Sequence, residues 1–252
     1  MLKENEWITI NRVLLEIYEI KNVNELAERL LKMIRMLIPY SNGYFLVFDK
    51  DEEINRKESS FIGIKESIKE KYLSYFYNVD YLKYTYEFTK ETETYRDTDI
   101  LDDSIRKKTE FYTDFLRPNN IPFGAGILLM KDEKMLGIIN LFRSSELGDF
   151  SDKDMYILDA LKFHLANILY DIISKKEEKT EVNKVVQVMA LNNDLSEREV
   201  EVIKLINEGK TNAQIAEILL ISLSTVKKHV YNIYSKIGVK SRMQLVAYMN
   251  EI

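Results

Sequence analysis

The stretch LISLSTVKKHVYNIYSKIG, residues 220–238, opens on a serine-rich turn and runs on with helical periodicity. Val226, Val230, Ile233 and Ile237 recur at i, i+4, i+7 and i+11, so a helix here can bury them together. At 100° per residue, Ser224, Lys228, Tyr231 and Ser235 fall on the opposite side, with Lys227 on one flank. One face is made to pack, and the other offers donors and an aromatic ring to a partner.

The flanking residues place this helix third in a set of four. Ser196 with Glu199, and Thr211 with Gln214, have capping-box spacing, and Gly209 stands where the first helix would stop. Ser222 caps the third helix, and Ser241 with Gln244 starts a fourth. A basic helix packed across a short turn from another suits the DNA major groove. There lysine donates to guanine O6 and N7, while Ser224 and Thr225 reach phosphate oxygens. The alternative is a plain solvated helix with its lysine stems laid along the surface.

Charge distribution favours a polyanion contact. The 252-residue chain carries a net charge of -5, yet residues 191–252 hold eight basic and seven acidic side chains, and residues 223–242 hold five basic and none acidic. A local basic face on an acidic protein points to a targeted contact. With 46% hydrophobic and 31% charged residues, the chain reads as globular and long enough for two domains. Cysteine is absent, which excludes disulfides, Cys-ligated zinc and thiol catalysis. The first twenty residues lack the basic end and apolar run of an export signal, and the apolar run 135–142 is far short of a membrane span. A soluble, cytoplasmic protein with no membrane contact is expected.

Upstream, helices and strands alternate. Leu26, Leu30, Met33 and Leu37 form an amphipathic helix stopped by Pro39, and residues 44–49 read as a strand. Residues 67–78 and 104–116 read as helices, the second ended by Pro118. FGAGILLM and KMLGIINLFR, joined at Lys131, Asp132 and Glu133, read as a hairpin. A long helix after Phe150 has Ser151 and Asp154 at its start and a stripe of Ile157, Leu161, Leu165 and Ile168. The charged run after Ser174, without Pro or Gly, reads as a helical linker. The expected domains are 1–173, a linker at 174–190, and 191–252.

The middle of the first domain is rich in aromatic residues. Tyr72, Tyr75, Tyr81, Tyr84, Phe111, Tyr112 and Phe115 suit the wall of a small-molecule pocket, and equally a tyrosine-rich core. Asp97, Asp99, Asp102 and Asp103 offer either cation ligands or an acidic solvated loop. Gly124 and Gly126 lack the third glycine and following helix of a dinucleotide fingerprint, and read as easing a strand start. The two histidines, His164 and His229, lie in different domains and read as packed residues. No nucleophile motif, metal set or cofactor site is expected, so the chain is not read as an enzyme. A phosphoreceiver is not expected either, since the first strong run is a helix.

Residues 195–249 resemble the LuxR and FixJ type helix-turn-helix domain through nearly their whole length. The landmarks are Leu195-Ser196 with Arg198-Glu199, Glu208-Gly209, Asn212 with Ile215-Ala216, Ile221-Ser222, Thr225-Val226-Lys227 with His229, Lys236, Gly238 and Ser241-Arg242. The resemblance implies that Lys227, Lys228 and Tyr231 face bases, and that Asn212, Thr225, Lys236, Lys240 and Arg242 lie near phosphate. Tyr231 departs from the basic or small polar residue common at that position. The resemblance also implies pairing of subunits through the fourth helix, at Leu245, Tyr248 and Met249. Residues 6–173 look like a GAF-type sensor. Quorum-sensing relatives of that architecture rely on tryptophans near the ligand, and the only tryptophan here is Trp7. The fold class expected is an α+β GAF-like sensor domain followed by an all-α four-helix helix-turn-helix domain. The implied function is a dimeric bacterial transcriptional regulator that binds double-stranded DNA and responds to a small-molecule effector. The alternative makes the first domain a protein-interaction module without a ligand.

Overall fold

Alternation along one strand separates the two cores of the N-terminal unit. Successive side chains of β1 (Asn42–Val47) point to opposite sides, so Phe45 and Val47 enter one core while Tyr44 and Leu46 enter the other. With β2 (Ser60–Ile62), β3 (Glu93–Arg96), β4 (Phe123–Lys131) and β5 (Lys134–Arg143), it forms an antiparallel sheet in the order β2-β1-β5-β4-β3. Both faces of β4 and β5 are covered, which is why their sequences are nearly continuous apolar runs. They meet through Asp132 and Glu133 at φ 51° and 62°, the left-handed pair of a two-residue hairpin turn. The computed structural model describes residues 2–86 and 88–251, without the side chain of Glu251.

One sheet face is aliphatic. It packs against α1 (Glu4–Tyr18) and α2 (Val23–Ile34), whose buried residues include Ile10, Val13, Leu26 and Leu30. The other face is aromatic and lies under short segments: α3 (Glu66–Lys71), a π turn (Tyr72–Phe76), α4 (Tyr77–Val79), α5 (Leu82–Tyr86), α6 (Asp97–Ile100), α7 (Asp103–Arg106) and a second π turn (Phe111–Leu116). The helix expected over 104–116 is therefore two pieces. Between them the Thr109 hydroxyl donates to the Arg106 carbonyl at 2.7 Å and accepts from the Tyr112 amide at 3.2 Å, taking over groups a continuous helix would pair.

A helix of 41 residues, α8 (Asp152–Asn192), follows. Ser151 starts it: its amide donates to Asp154 at 2.8 Å, and its hydroxyl accepts from the Asp154 amide at 3.3 Å. Ile157, Leu158, Leu161 and Leu165 join the aliphatic core. Contacts divide the chain into two units, 1–173 and 174–252, so the charged run after Ser174 is helix within the second unit.

In that second unit, α9 (Glu197–Asn207), α10 (Asn212–Ile218), α11 (Leu223–Ile237) and α12 (Arg242–Glu251) enclose Val202, Ile203, Ile206, Ile215, Val226, Ile233 and Leu245, together with Val186 and Met189 of α8. Both expected capping boxes form, Ser196 with Glu199 and Thr211 with Gln214. Gly238, at φ 83°, ends α11 in the left-handed conformation that glycine adopts without strain.

Phe61, Tyr44, Asn140, Gly126 and Tyr95 lie side by side across all five strands of the aromatic face. A Cβ on Gly126 would sit 1.9 Å from the Ile139 carbonyl and 2.7 Å from the Tyr95 hydroxyl. Gly126→Ala should therefore destabilise the N-terminal unit by about 1–3 kcal/mol, read as a lower denaturation midpoint. Unchanged stability would show that this crowding is absent.

Candidate nucleic-acid interface and sensor site

The third helix of the C-terminal unit carries the split its periodicity predicted. Val226 and Ile233 are buried, while Val230 and Ile237 pack half-buried beside them. Ser224, Lys227, Lys228, Tyr231 and Ser235 are exposed, Tyr231 by 73%. At the entrance, the Ser222 hydroxyl accepts from the Thr225 amide at 3.1 Å and meets the hydroxyls of Ser224 and Thr225, each at 2.8 Å. The turn before it has Leu220 at φ 52°, with the Ile221 amide donating to the Ala216 carbonyl at 3.0 Å. Asn212 is half-buried at the start of α10, and Lys240 is exposed.

Two residues expected beside phosphate have internal partners instead. The Lys236 ammonium donates to Glu199 at 2.8 Å and to the Asp194 carbonyl at 2.7 Å, and Arg242 donates to the Ile206 carbonyl at 2.7 Å. Glu199 is 3% exposed. Burial works to raise its pKa, but the bonds from Lys236 and Ser196 outweigh it and hold the carboxyl below the usual glutamate range. Arg198 likewise donates to the Leu219 carbonyl at 2.7 Å. These cations fix how the helices meet, which leaves Lys227 and Lys228 as the free charges of the face.

The expected pairing residues also take part in the packing of their own unit. Leu245 is fully buried and Met249 nearly so, both in the core of their own unit, and Tyr248 packs half-buried against it. So small a unit needs one face of its last helix to close its interior. Met243, 82% exposed, is the apolar side chain that α12 leaves outside.

On the aromatic side of the sheet the expected residues divide. Tyr72, Tyr81, Phe111, Tyr112 and Phe115 are buried, with Phe111 and Phe115 stacked at 5.3 Å and Tyr72 at 5.4 Å from Phe115. Tyr75 and Tyr84 are exposed and do not line this interior. Two carboxylates that were not assigned to the wall lie within it. Asp80, 1% exposed, accepts from the Tyr72 hydroxyl at 3.0 Å and the Leu82 amide at 2.9 Å. Asp97, 1% exposed, accepts from the Tyr81 hydroxyl at 2.8 Å. Tyr44 continues the chain with its hydroxyl 2.8 Å from that of Tyr72.

Burial is the main force on both carboxyls. It lifts Asp80 to about 8, the negative charge of Asp97 adding to it, and lifts Asp97 to about 6 against the opposing pull of Tyr81 and Arg106. Arg106 is wholly buried and already bonded to Asp103 at 2.8 Å and to the Pro122 carbonyl at 2.7 Å. Asp99 pairs with Arg96, and Asp102 caps α7, so the acidic run divides among separate duties. Among the described residues no three His, Cys, Asp or Glu side chains converge as metal ligands.

Four buried atoms in this region have no hydrogen-bond partner: Asp97 Oδ1, both amide atoms of Asn140, and the Tyr86 hydroxyl. Gly124 also proves to be a spacing residue, since a Cβ there would come within 2.5 Å of the Asp97 carboxylate. A signal was present in the sequence: glycines in apolar strands mark a close approach by another group. Beside Tyr86 opens a pocket of about 360 Å³ lined also by Phe48, Tyr77, Met130 and Met135.

Comparison with known proteins agrees with this geometry. Residues 193–249, which span the four helices, match the profile of the bacterial regulatory proteins of the luxR family. Its C-terminal unit thus contains a luxR-type regulatory domain. It is 25% identical over 219 residues to the monoamine regulon transcriptional regulator of Klebsiella aerogenes, covering 87% of this chain and 88% of that one. It is 50% identical over 54 residues to the transcriptional regulatory protein LiaR of Bacillus subtilis, a match covering 21% of this chain and 26% of LiaR. In fold, it superposes on the VqsR LBD domain of Pseudomonas aeruginosa with a TM-score of 0.51 at 13% identity, over 68% of this chain and 98% of that one. The first unit is an antiparallel α+β domain that shares the fold of that LBD domain, and residues 193–249 of the second match the luxR-family domain. Among the described residues no helix is long and apolar enough to cross a membrane.

Two outcomes follow from these contacts. Lys236→Met leaves Glu199 buried without its cation, and should destabilise the C-terminal unit by about 1–3 kcal/mol, whereas Lys227→Ala and Lys228→Ala leave its melting unchanged. Equal melting of all three variants contradicts the assignment. Because the folded pKa values of Asp80 and Asp97 are raised, the folded state holds the extra protons; stability falls as pH rises from about 4 toward 6 for Asp97 and toward 8 for Asp80. Each group contributes a slope of at most about 1.4 kcal/mol per pH unit. Asp80→Asn should flatten the decline between pH 6 and 8 in denaturant titrations, and an unaltered slope would place its source elsewhere.

Proposed function

We propose that the protein binds an inverted-repeat DNA site as a homodimer, with α11 in the major groove, and that a small molecule held in the N-terminal unit controls this binding. The observation that carries the reading is the division of α11. Lys227, Lys228 and Tyr231 form an exposed basic and aromatic face whose opposite side is fully used for packing. Lys228 and Tyr231 suit base edges, Lys227 and Lys240 suit phosphate, and Ser224, Thr225 and Asn212 lie at helix starts where amides and hydroxyls meet phosphate oxygens.

Two copies are needed to read two half-sites. Since Leu245 and Met249 are occupied internally, we place the main seam on the N-terminal unit. Trp7 and Leu15 of α1 and Tyr156 and Phe163 of α8 are all at least 41% exposed and share one side of their helices. Trp7 and Tyr156 meet edge to face at 6.2 Å. An apolar strip of this kind suits a self-complementary contact.

Effector control rests on the buried polar atoms that lack partners and on the pocket beside them. The reading as a ligand-free interaction module is favoured by Tyr84 and Phe88, which are 65% and 82% exposed near one another in sequence.

Genome fragments captured on the full-length protein at moderate salt should yield one short inverted repeat. Lys228→Ala should weaken binding to it by about 1–3 kcal/mol and relax preference at one base position; uniform loss on every sequence would mean that Lys228 touches phosphate alone. Leu15→Glu with Phe163→Glu should turn a dimer into a monomer in sedimentation and lower operator affinity. A dimer that survives both changes lies on another surface.

A further inference from the structure

The aromatic half of the N-terminal unit contains more hydrogen-bonding capacity than its own residues use. Asp80 and Asp97 are almost wholly buried, and Arg106, the cation that acts on Asp97, is bonded to Asp103 and Pro122. Asp97 keeps one oxygen free, and Asn140 has neither amide atom bonded although it is fully buried in the middle of β5. Asn140 has the Tyr44 hydroxyl as its polar neighbour, and Tyr86 has that of Tyr95, whereas the free Asp97 oxygen has none. Buried groups of this kind normally have partners.

The charge of these groups selects the partner. The Asp97 carboxylate repels an anion, and a neutral amide offers it a donor without a balancing charge. A primary ammonium supplies three donors and the missing positive charge together, and aromatic faces attract it further. We infer that this centre is a binding site for a small protonated amine, with its ammonium between Asp80, Asp97 and Asn140 and its carbon body running past Tyr86 into the adjoining pocket. The pocket's volume of about 360 Å³ suits a compact body, and Phe48, Tyr77, Met130 and Met135 give that body apolar walls, while Glu52, Glu133, Lys83 and Lys90 complete the lining. Two π turns, Tyr72–Phe76 and Phe111–Leu116, enclose the same region, and such irregular turns recur at functional sites. The inference rests on the N-terminal unit being the effector-sensing domain.

The test uses full-length protein and calorimetric titration with 2-phenylethylamine, tyramine and butylamine. Two controls are N-acetyl-2-phenylethylamine, which keeps the body without the charge, and phenylacetate, which reverses it. At least one amine should bind saturably, at least about tenfold more tightly than either control. Asp97→Asn should weaken that amine at least about tenfold, and Tyr86→Phe should weaken it a few-fold while leaving the core filled. Tighter or equal binding of the neutral control overturns the inference, as does an amine indifferent to both substitutions, or no saturable binding by any of the three amines at millimolar concentration. Operator capture distinguishes this failure from the larger one: a protein that enriches its inverted repeat but ignores every amine loses this inference and keeps its proposed function.

Discussion

A helix of fifteen residues in a unit this small cannot be buried all round, and α11 resolves that constraint by strict division. Val226, Val230, Ile233 and Ile237 hold the domain together, which obliges Lys228, Tyr231 and Ser235 to face outward. The same constraint acts on charge. Lys236 is the last residue but one of α11, where the buried Glu199 needs a cation, and is bonded to it. The cations left in front are those that precede the point of contact with α9. Packing therefore decides which charges are available to a polyanion, and the binding face is what the core does not use.

A division of the same kind organises the N-terminal unit. Along each strand the odd and even residues enter different cores, one aliphatic against long helices, the other aromatic against short irregular segments. The aliphatic side is closed by α1, α2 and α8, and its buried charges, Arg143 and Asp154, pair with one another at 3.1 Å. The aromatic side has two carboxylates, a buried arginine and an asparagine in the centre of a strand, at the cost of raised carboxyl pKa values. Scaffold and site are thus separated by the thickness of one sheet. Chemistry is confined to the side where backbone irregularity leaves room to adjust.

Much of the C-terminal unit was legible in the sequence because its signals are local. Capping boxes three residues apart, a glycine after a helix and a four-residue apolar spacing are read without knowing what lies across the fold. The hairpin and the long helix were legible for the same reason. What escaped depended on distant partners. The strands at 60–62 and 93–96 are too short to show alternation, and α1 received no assignment. The partners of Lys236 and Arg242, Glu199 and the Ile206 carbonyl, lie over thirty residues away and leave no local signal. Leu245 and Met249 suggested a subunit contact because the alternating burial of α12 is set by three other helices. Tyr75 and Tyr84 were grouped with buried tyrosines by proximity in sequence alone, while Asp80 was passed over as one acidic residue among many.

The measurement closest to the central claim is lysine-reactivity footprinting of the full-length protein, with and without the DNA fragment it enriches, read by mass spectrometry. The account predicts that Lys227 and Lys228 react freely in the unbound protein and are shielded in the complex, while Lys236 is slow to react in both. A complex that shields Lys236 and leaves Lys227 and Lys228 exposed would contradict the division of α11 and place the DNA on another face.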